Sequence, residues 1–442
     1  MSFPRYDEYK DSGVEWLGEV PAHWSVAALK RSYRIVGGST PSSGMPEYWD
    51  GEIVWVTPAD LSKLDSFGIR SSQRTITTEG LASCGTNLLP AGSIVLSTRA
   101  PIGSLGIAEV ELCTNQGCKG LVPLNGQRSR FAAYLLLVMS DELHIRGRGT
   151  TFLELSADAL GSIDIPIPTE AEQTAIAAFL DRETAKIDDL VAEQQNLIAL
   201  LKEKRQALIS HAVTRGLNPN APMKDSGVEW LGEVPAHWDV EPCRMFVTEQ
   251  TAKNDGAKDE NYLSLLANVG VIPYEEKGDI GNKKPEDLSK CKLVAKGDLV
   301  INSMNYGIGS YGLSALDGVC SPVYIVLRPQ LDRIHMRFAL RVFENKAFQR
   351  FAQSFGNGIL EHRCAINWNT LKSLKVGLPS LTEQLEILNF LDSETSKIDG
   401  LVSEAESTIT VLQERRTALI SAAVTGKIDV RNAVAHTEEA AA

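Results

Sequence analysis

Apolar positions along this chain change period several times, and each change marks an element. Beyond Thr169, Leu180, Ile187, Leu201 and Leu208 fall on one seven-residue spacing, with Gln194 the polar member of the series. A heptad sustained this far predicts a helix of about 44 residues, Thr169 to about Val213, packed as a coiled coil. Thr169 followed by Glu172 is a capping-box signature for its start. The spacing returns at Leu391, Ile398, Ala405, Leu412 and Leu419, in a helix opening at Thr382 and closing at Gly426. At 1.5 Å per residue each helix would be about 66 Å long, which suits a spacer better than a compact core. Packing the two on each other in antiparallel fashion is the simplest way to bury both seams.

Outside the helices the pattern shortens. Ile53 to Val56 and Ser93 to Leu96 are β-branched runs bounded by turn residues, and read as strands. Phe131 to Met139 reads as a buried helix. Ile163 to Pro168 alternates like a strand whose prolines place it at an edge or a domain exit. The second half repeats this outline with other residues. Ala91 to Leu96 parallels Lys296 to Ile301, Ile102 to Gly106 parallels Ile308 to Gly312, and Ser162 to Pro168 parallels Ser373 to Pro379.

One stretch repeats without change. Lys10 to Trp24 reads KDSGVEWLGEVPAHW, and Lys224 to Trp238 reads the same. Constant and variable stretches therefore alternate twice, as in a frame that presents two different readers. The expected organisation is a repeated motif at 1–24, a variable domain at 25–168 and a spacer helix at 169–215. A linker with the second motif copy follows at 216–238, then a variable domain at 239–379, a second spacer at 380–426 and a flexible tail at 427–442. The class is α+β: two mixed α/β domains in pseudo-two-fold arrangement, separated by two long antiparallel coiled-coil helices. A cyclically repeated chain folded back on itself generates such a dyad within one polypeptide.

The net charge of −12 argues at first against a nucleic-acid partner, but its distribution changes that. Residues 25–164 carry 12 Lys+Arg against 13 Asp+Glu, and 239–378 carry 18 against 16. The acidity sits in the constant parts, so a local basic face on either variable domain stays open. No apolar run approaches the roughly 20 residues of a membrane span. The start lacks a signal-peptide pattern, and seven scattered cysteines without a CxxC pair read as reduced thiols of a cytoplasmic protein.

Catalytic motifs are missing. There is no phosphate-binding P-loop, no HExxH and no GxSxG, and the glycine-rich stretch lacks the strand–turn–helix order of a dinucleotide site. His23 and His237, inside the repeated motif, read as structural. The best polar recognition candidates lie at strand ends and loops of the variable domains, where they can reach base edges or phosphates. In the first domain these are Ser97, Thr98, Arg99, Gln116, Lys119, Thr150 and Thr151. In the second they are Asn302, Ser303, Asn305, Tyr306, Asn357, Arg363 and Asn367. Trp16, Trp24, Trp230 and Trp238 of the repeated motif have two readings, packing of each domain onto the helices or docking of a partner present twice.

The order of motif, variable domain and Glu172-Gln173…Phe179-Leu180-Asp181…Lys186-Ile187-Asp188 helix resembles the specificity subunit of type I restriction-modification enzymes. The second helix copy, Glu383-Gln384…Phe390-Leu391-Asp392…Lys397-Ile398-Asp399, follows the same pattern, although its entry, Val376-Gly377-Leu378-Pro379, departs from the Ile-Pro-x-Pro of the first. The resemblance covers nearly the whole chain. It implies two target recognition domains on double-stranded DNA, each reading half of a bipartite asymmetric site across a gap set by the helices. It also implies no catalytic site and no cofactor on this chain. Two methyltransferase subunits would bring S-adenosylmethionine, and two restriction or translocase subunits would use ATP and magnesium where present. The competing readings are a non-catalytic protein-binding scaffold with two variable ligand domains, and an enzyme with an unrecognised site.

Overall fold

A computed structural model of the protein describes residues 3–99, 101–147, 153–281, 283–355 and 365–433. The chain divides into two units, Met1–Glu193 with Thr408–Ala442, and Gln194–Ser407. Each unit thus holds one motif copy, one variable domain, the opening half of the long helix that follows it and the closing half of the other long helix.

In the first unit the repeated motif forms a hairpin, Tyr9–Asp11 against Glu19–Pro21. The main sheet runs, in spatial order, Tyr33–Gly37, Cys118–Pro123, Ile94–Thr98, Ile102–Ala108 and Gly68–Ile69. In the second unit the motif again forms a hairpin, Met223–Asp225 against Glu233–Pro235. Its main sheet is ordered Val247–Glu249, Tyr324–Pro329, Leu299–Asn302 and Tyr311–Leu313, the same four-strand framework. The register agrees as well: Leu96 faces Leu105 in the first unit and Ile301 faces Tyr311 in the second. Gly103 and Gly309, at the corresponding turn, have φ of 104° and 93°, a region costly for any residue with a Cβ. Domain helices Ser129–Val138 and Met336–Glu344 pack on these sheets through Phe131, Leu135, Phe338 and Val342, all buried.

The variation lies in two segments, between the first two and between the last two framework strands in chain order. The first unit inserts a three-stranded sheet, Leu112–Thr114, Trp49–Val56 and Thr75–Ile76, built around Trp49 and Trp55 in edge contact at 5.1 Å. The second inserts two two-stranded pieces, Leu263–Leu266 with Gly270–Pro273 and Lys292–Val294 with Gly318–Cys320. The domain exits agree in the two units: Asp164–Ile167 pairs with Ser25–Ala28, and Lys375–Leu378 pairs with Asp239–Pro242.

The long helices span Glu170–Arg215, 46 residues, and Leu381–Val424, 44 residues. Leu180, Ile187, Leu201, Leu391, Ile398 and Ala405 of the heptad series are buried, and Leu208 and Leu419 are half-buried against the cores. Leu412 is half-exposed. Within the first unit Asp188 pairs with Arg416 at 2.9 Å, and within the second Arg205 pairs with Asp399 at 3.3 Å. Leu180 shares a core with Val424, and Ile209 shares one with Leu391, so in each unit the two helical stretches run antiparallel.

Two expectations change. The second helix is opened by Ser380, whose Oγ accepts the Glu383 N–H at 3.3 Å, while Thr382 lies inside the first turn. The stretch after Gly426 is anchored through Ala433 where a flexible tail was expected. Val430 is fully buried, the Asp429 N–H donates to Pro4 O at 2.8 Å, and Arg431 stacks on the Tyr6 ring.

Candidate nucleic-acid interface

Each variable domain is held to its helix by the Glu-Gln and Leu-Asp positions of the helix motif. Glu172 is the hub of the first unit. One carboxylate oxygen accepts from the Thr169 N–H at 3.1 Å and its hydroxyl at 2.8 Å, closing the capping box. The other accepts from the Trp24 indole at 3.3 Å and lies 2.7 Å from His23 Nε2. Burial pushes the carboxyl up, but the hydrogen bonds from His23, Thr169 and Trp24 outweigh it and hold Glu172 below its ordinary value. Glu383 takes the corresponding Trp and His in the second unit, one on each oxygen, with Trp238 at 3.0 Å and His237 at 2.8 Å.

The glutamines beside them stitch backbone. Gln173 donates to Pro168 O and accepts from the Arg128 N–H, and Gln384 donates to Pro379 O and accepts from the His335 N–H. Asp181 takes Arg130 and Tyr134 from the domain helix, each at 2.7 Å, and Asp392 takes Arg337. The motif residues therefore fix how each variable domain sits on its own helix stretch.

Trp24 and Trp238 are fully buried, so a partner cannot reach them, and their place is the core. Trp16 and Trp230 are half-buried, in surroundings that differ despite identical local sequence. The Trp16 indole N–H is buried without a partner among the described residues, whereas Trp230 donates to Lys375 O at 3.1 Å and meets Phe348 edge-on at 5.2 Å.

The polar candidates separate into two groups. Ser97, Thr98, Asn302 and Tyr306 are buried and committed inward. The Ser97 hydroxyl donates to Arg99 O at 3.0 Å and the Thr98 hydroxyl to Gly117 O at 3.3 Å. Asn302 accepts from the Met304 N–H, and the Tyr306 hydroxyl donates to Phe343 O at 2.5 Å. These four spend their hydrogen bonds on backbone groups of their own domain. Asn367 is exposed but caps the short helix Trp368–Leu371. Thr150, Thr151, Asn357 and Arg363 lie outside the described residues.

What stays available in the first unit is a patch drawn from several loops. The Arg99 side chain is 31% exposed and is paired with Glu154 at 3.7 Å. Gly117 lies beneath it: a Cβ there would sit 3.3 Å from Arg99 Nε, 3.2 Å from Asn115 Oδ1 and 3.0 Å from Pro58 Cγ. Exposed Gln116 accepts the Thr40 hydroxyl, and Lys119 is half-exposed on the adjacent strand. Asn115, which the sequence offers as a loop candidate beside Gln116, belongs to this patch, and so does Thr40, which nothing local distinguishes from an ordinary turn residue. In the second unit the equivalent position offers Ser303, bonded to Val323 O at 3.3 Å, and half-exposed Asn305. The correspondence is set by backbone: Leu155 N–H donates to Thr98 O in one unit, and Ile366 N–H donates to Ser303 O in the other.

A family model described as the type I restriction modification DNA specificity domain matches residues 21–200 and 252–404, one match per variable domain with its helix. The chain belongs to that family. The type I restriction enzyme MjaIX specificity subunit of Methanocaldococcus jannaschii is 35% identical over 198 residues, 44% of this chain and 44% of that protein. The EcoR124I/EcoR124II specificity subunit of Escherichia coli is 27% identical over 183 residues, 39% of this chain and 42% of that protein. Each of these matches spans less than half the length of the relative. Among solved structures, a chain from a study of complex assembly and conformational transition of the type I R-M system superposes with TM-score 0.67 at 16% identity, over 92% of this chain and 98% of that one. The HsdS subunit of Thermoanaerobacter tengcongensis superposes with TM-score 0.53, also at 16% identity and the same coverage. At these identities the likeness is one of fold. Among the described residues no helix is long and apolar enough to cross a membrane.

Proposed function

We propose that this chain is the sequence-specificity component of a type I restriction-modification complex, each variable domain reading one half of a bipartite DNA site. The observation that carries this is the duplicated framework with divergent inserts. The same four-strand order and the same helix seam recur in both units, while the residues at the strand-end patch differ, Arg99 in one place and Met304 in the other. A family frame that holds constant the orientation of two non-identical surfaces is what an asymmetric split site requires. Bases are read at such surfaces through side chains at groove depth, and phosphates position them.

The long helices serve as the spacer in this reading, and the chain itself carries no catalytic residues. Its partners are two methyltransferase subunits bearing S-adenosylmethionine, and restriction subunits using ATP and magnesium where the complex cleaves. The half-buried Trp16 and Trp230 in the repeated motif are the tryptophans that remain available for docking them. A protein-scaffold function predicts no salt-dependent, sequence-selective DNA binding by the assembled complex, whereas DNA reading predicts both. The test is methylome sequencing of cells expressing the chain with its methyltransferase, for the wild type and for a variant with one heptad inserted at Gln194. Two half-sites separated by a gap that lengthens in the variant support the reading. A changed half-site with an unchanged gap sinks it.

A further inference from the structure

Just before strand Thr75–Ile76 of the first-unit insert, the Arg74 guanidinium lies over the Trp49 ring, 3.6 Å from its centroid. Trp49 is itself buried, and its indole N–H donates to Ser42 O at 3.1 Å. The backbone at Arg74 is fixed as well. The Ser72 hydroxyl accepts the Trp55 N–H at 3.1 Å and donates to Arg74 O at 2.7 Å. Asp60 accepts the Gln73 N–H on one carboxylate oxygen and the Thr57 N–H on the other, each at 2.8 Å. Ring and backbone therefore hold the side chain in place. Arg74 is nevertheless exposed, and it forms no ion pair among the described residues.

Other cations that lie over rings in this chain are engaged in structure. Arg130, Arg182 and Arg431 are each also paired with a carboxylate, of Asp181, Glu183 and Asp429. In the second-unit insert Lys277 lies over Tyr274, but it is buried and its ammonium donates to Ile280 O at 2.7 Å. Arg74 has the ring contact without such an anchor. Stacking occupies the face of a guanidinium and leaves its N–H edge open. The segment beneath joins this edge to the Arg99 patch: Ser39 O and Ser42 O accept from Trp55 and Trp49, and between them the Thr40 hydroxyl donates to Gln116.

We propose that Arg74 is a specificity-determining residue of the first variable domain and reads a guanine through its guanidinium edge. The inference rests on DNA reading by that domain. In the major groove guanine presents two acceptors, O6 and N7, which match the arginine fork. An arginine already held in place also loses less freedom on binding than a mobile one. A phosphate contact asks only for charge, which lysine supplies as a point charge.

Methylome sequencing of cells expressing the full chain with its methyltransferase, repeated for Arg74→Ala and Arg74→Lys, tests this. The wild type should write a split motif with a G·C pair in one half-site. Both variants should accept other bases at that one pair and leave the other half-site unchanged. Affinity of the assembled complex for the cognate duplex should fall roughly tenfold or more in both, the scale of one lost bidentate base contact. Affinity for an unrelated duplex, and its salt dependence, should stay the same in Arg74→Lys. Folded variants that write the wild-type motif overturn the proposal. So does a loss for all sequences alike in Arg74→Ala that Arg74→Lys restores, since that marks a phosphate contact. Thermal melts check the fold, and Arg74→Lys keeps an alkyl stem over Trp49 should Arg74→Ala fail to fold. A wild type that writes no split motif refutes DNA reading itself, whereas a split motif untouched by both variants refutes the role of Arg74 alone.

Discussion

Replacing Glu172 by alanine removes one side chain that serves two structures at once. Losing the bonds to the Thr169 N–H and hydroxyl, while the Thr169 cap itself stays, costs about 0.5–1.5 kcal/mol. The Trp24 indole N–H, buried, is left without an acceptor, which adds about 1–3 kcal/mol. Together the expected loss is about 2–4 kcal/mol, or roughly 5–12 °C in the melting temperature of a unit of this size. The same change at Glu383 should cost about half as much, because that side chain is 23% exposed and water can replace it, against 6% at Glu172. Differential scanning calorimetry at neutral pH compares the two. The pH dependence has a definite sign. Glu172 is held below its ordinary value in the folded state, so its contribution is present above the ordinary carboxylate range and is lost as pH falls through the folded value. The gap between wild type and Glu172→Ala should therefore narrow in acid, and Glu172→Gln should flatten the same stretch of the pH profile. A loss at Glu172 below about 0.5 kcal/mol, or one no larger than at Glu383, would refute the view that burial of this shared acceptor fastens domain to helix.

Three further outcomes follow from the geometry. Arg99→Ala should alter or relax one half-site of the methylated motif and leave the other intact, as read by methylome sequencing; an unchanged motif and affinity removes Arg99 from the reading surface. Tyr306→Phe should lower stability by about 1 kcal/mol through the lost bond to Phe343 O and leave the motif unchanged, since the ring is fully buried; altered specificity would contradict its structural assignment. Gly426→Ala should destabilise more than Gly216→Ala in thermal melts. Both have positive φ, at 73° and 72°, but a Cβ at Gly426 meets Pro21 Cδ at 2.4 Å, whereas at Gly216 the nearest atom is Trp238 at 3.3 Å.

The sequence by itself determined the elements that depend on local periodicity and on repetition. The heptads located both long helices, because burying one stripe of a helix requires that spacing wherever the helix lies. Thr169 and Glu172 announced the capping box, which closes within one turn. Exact repetition marked the fifteen-residue motif as a constant unit, though not as the hairpin it forms, and the alignment of Ile102 with Ile308 survived because the turn demands glycine at Gly103 and Gly309. Tertiary structure alone decided which polar residues face outward. Ser97, Thr98 and Tyr306 carry the same chemistry as their exposed neighbours, but packing turned them inward, Ser97 onto the nearby Arg99 O, Thr98 onto Gly117 O and Tyr306 onto Phe343 O. The stretch at Ile428 and Val430 reads as a tail until the start of the chain is brought against it. Trp16 and Trp230 sit in the same fifteen residues and differ because Phe348 and Lys375 come from distant segments with no sequence in common with those around Trp16. Periodicity describes which face a segment must bury; it cannot say what that face is buried against.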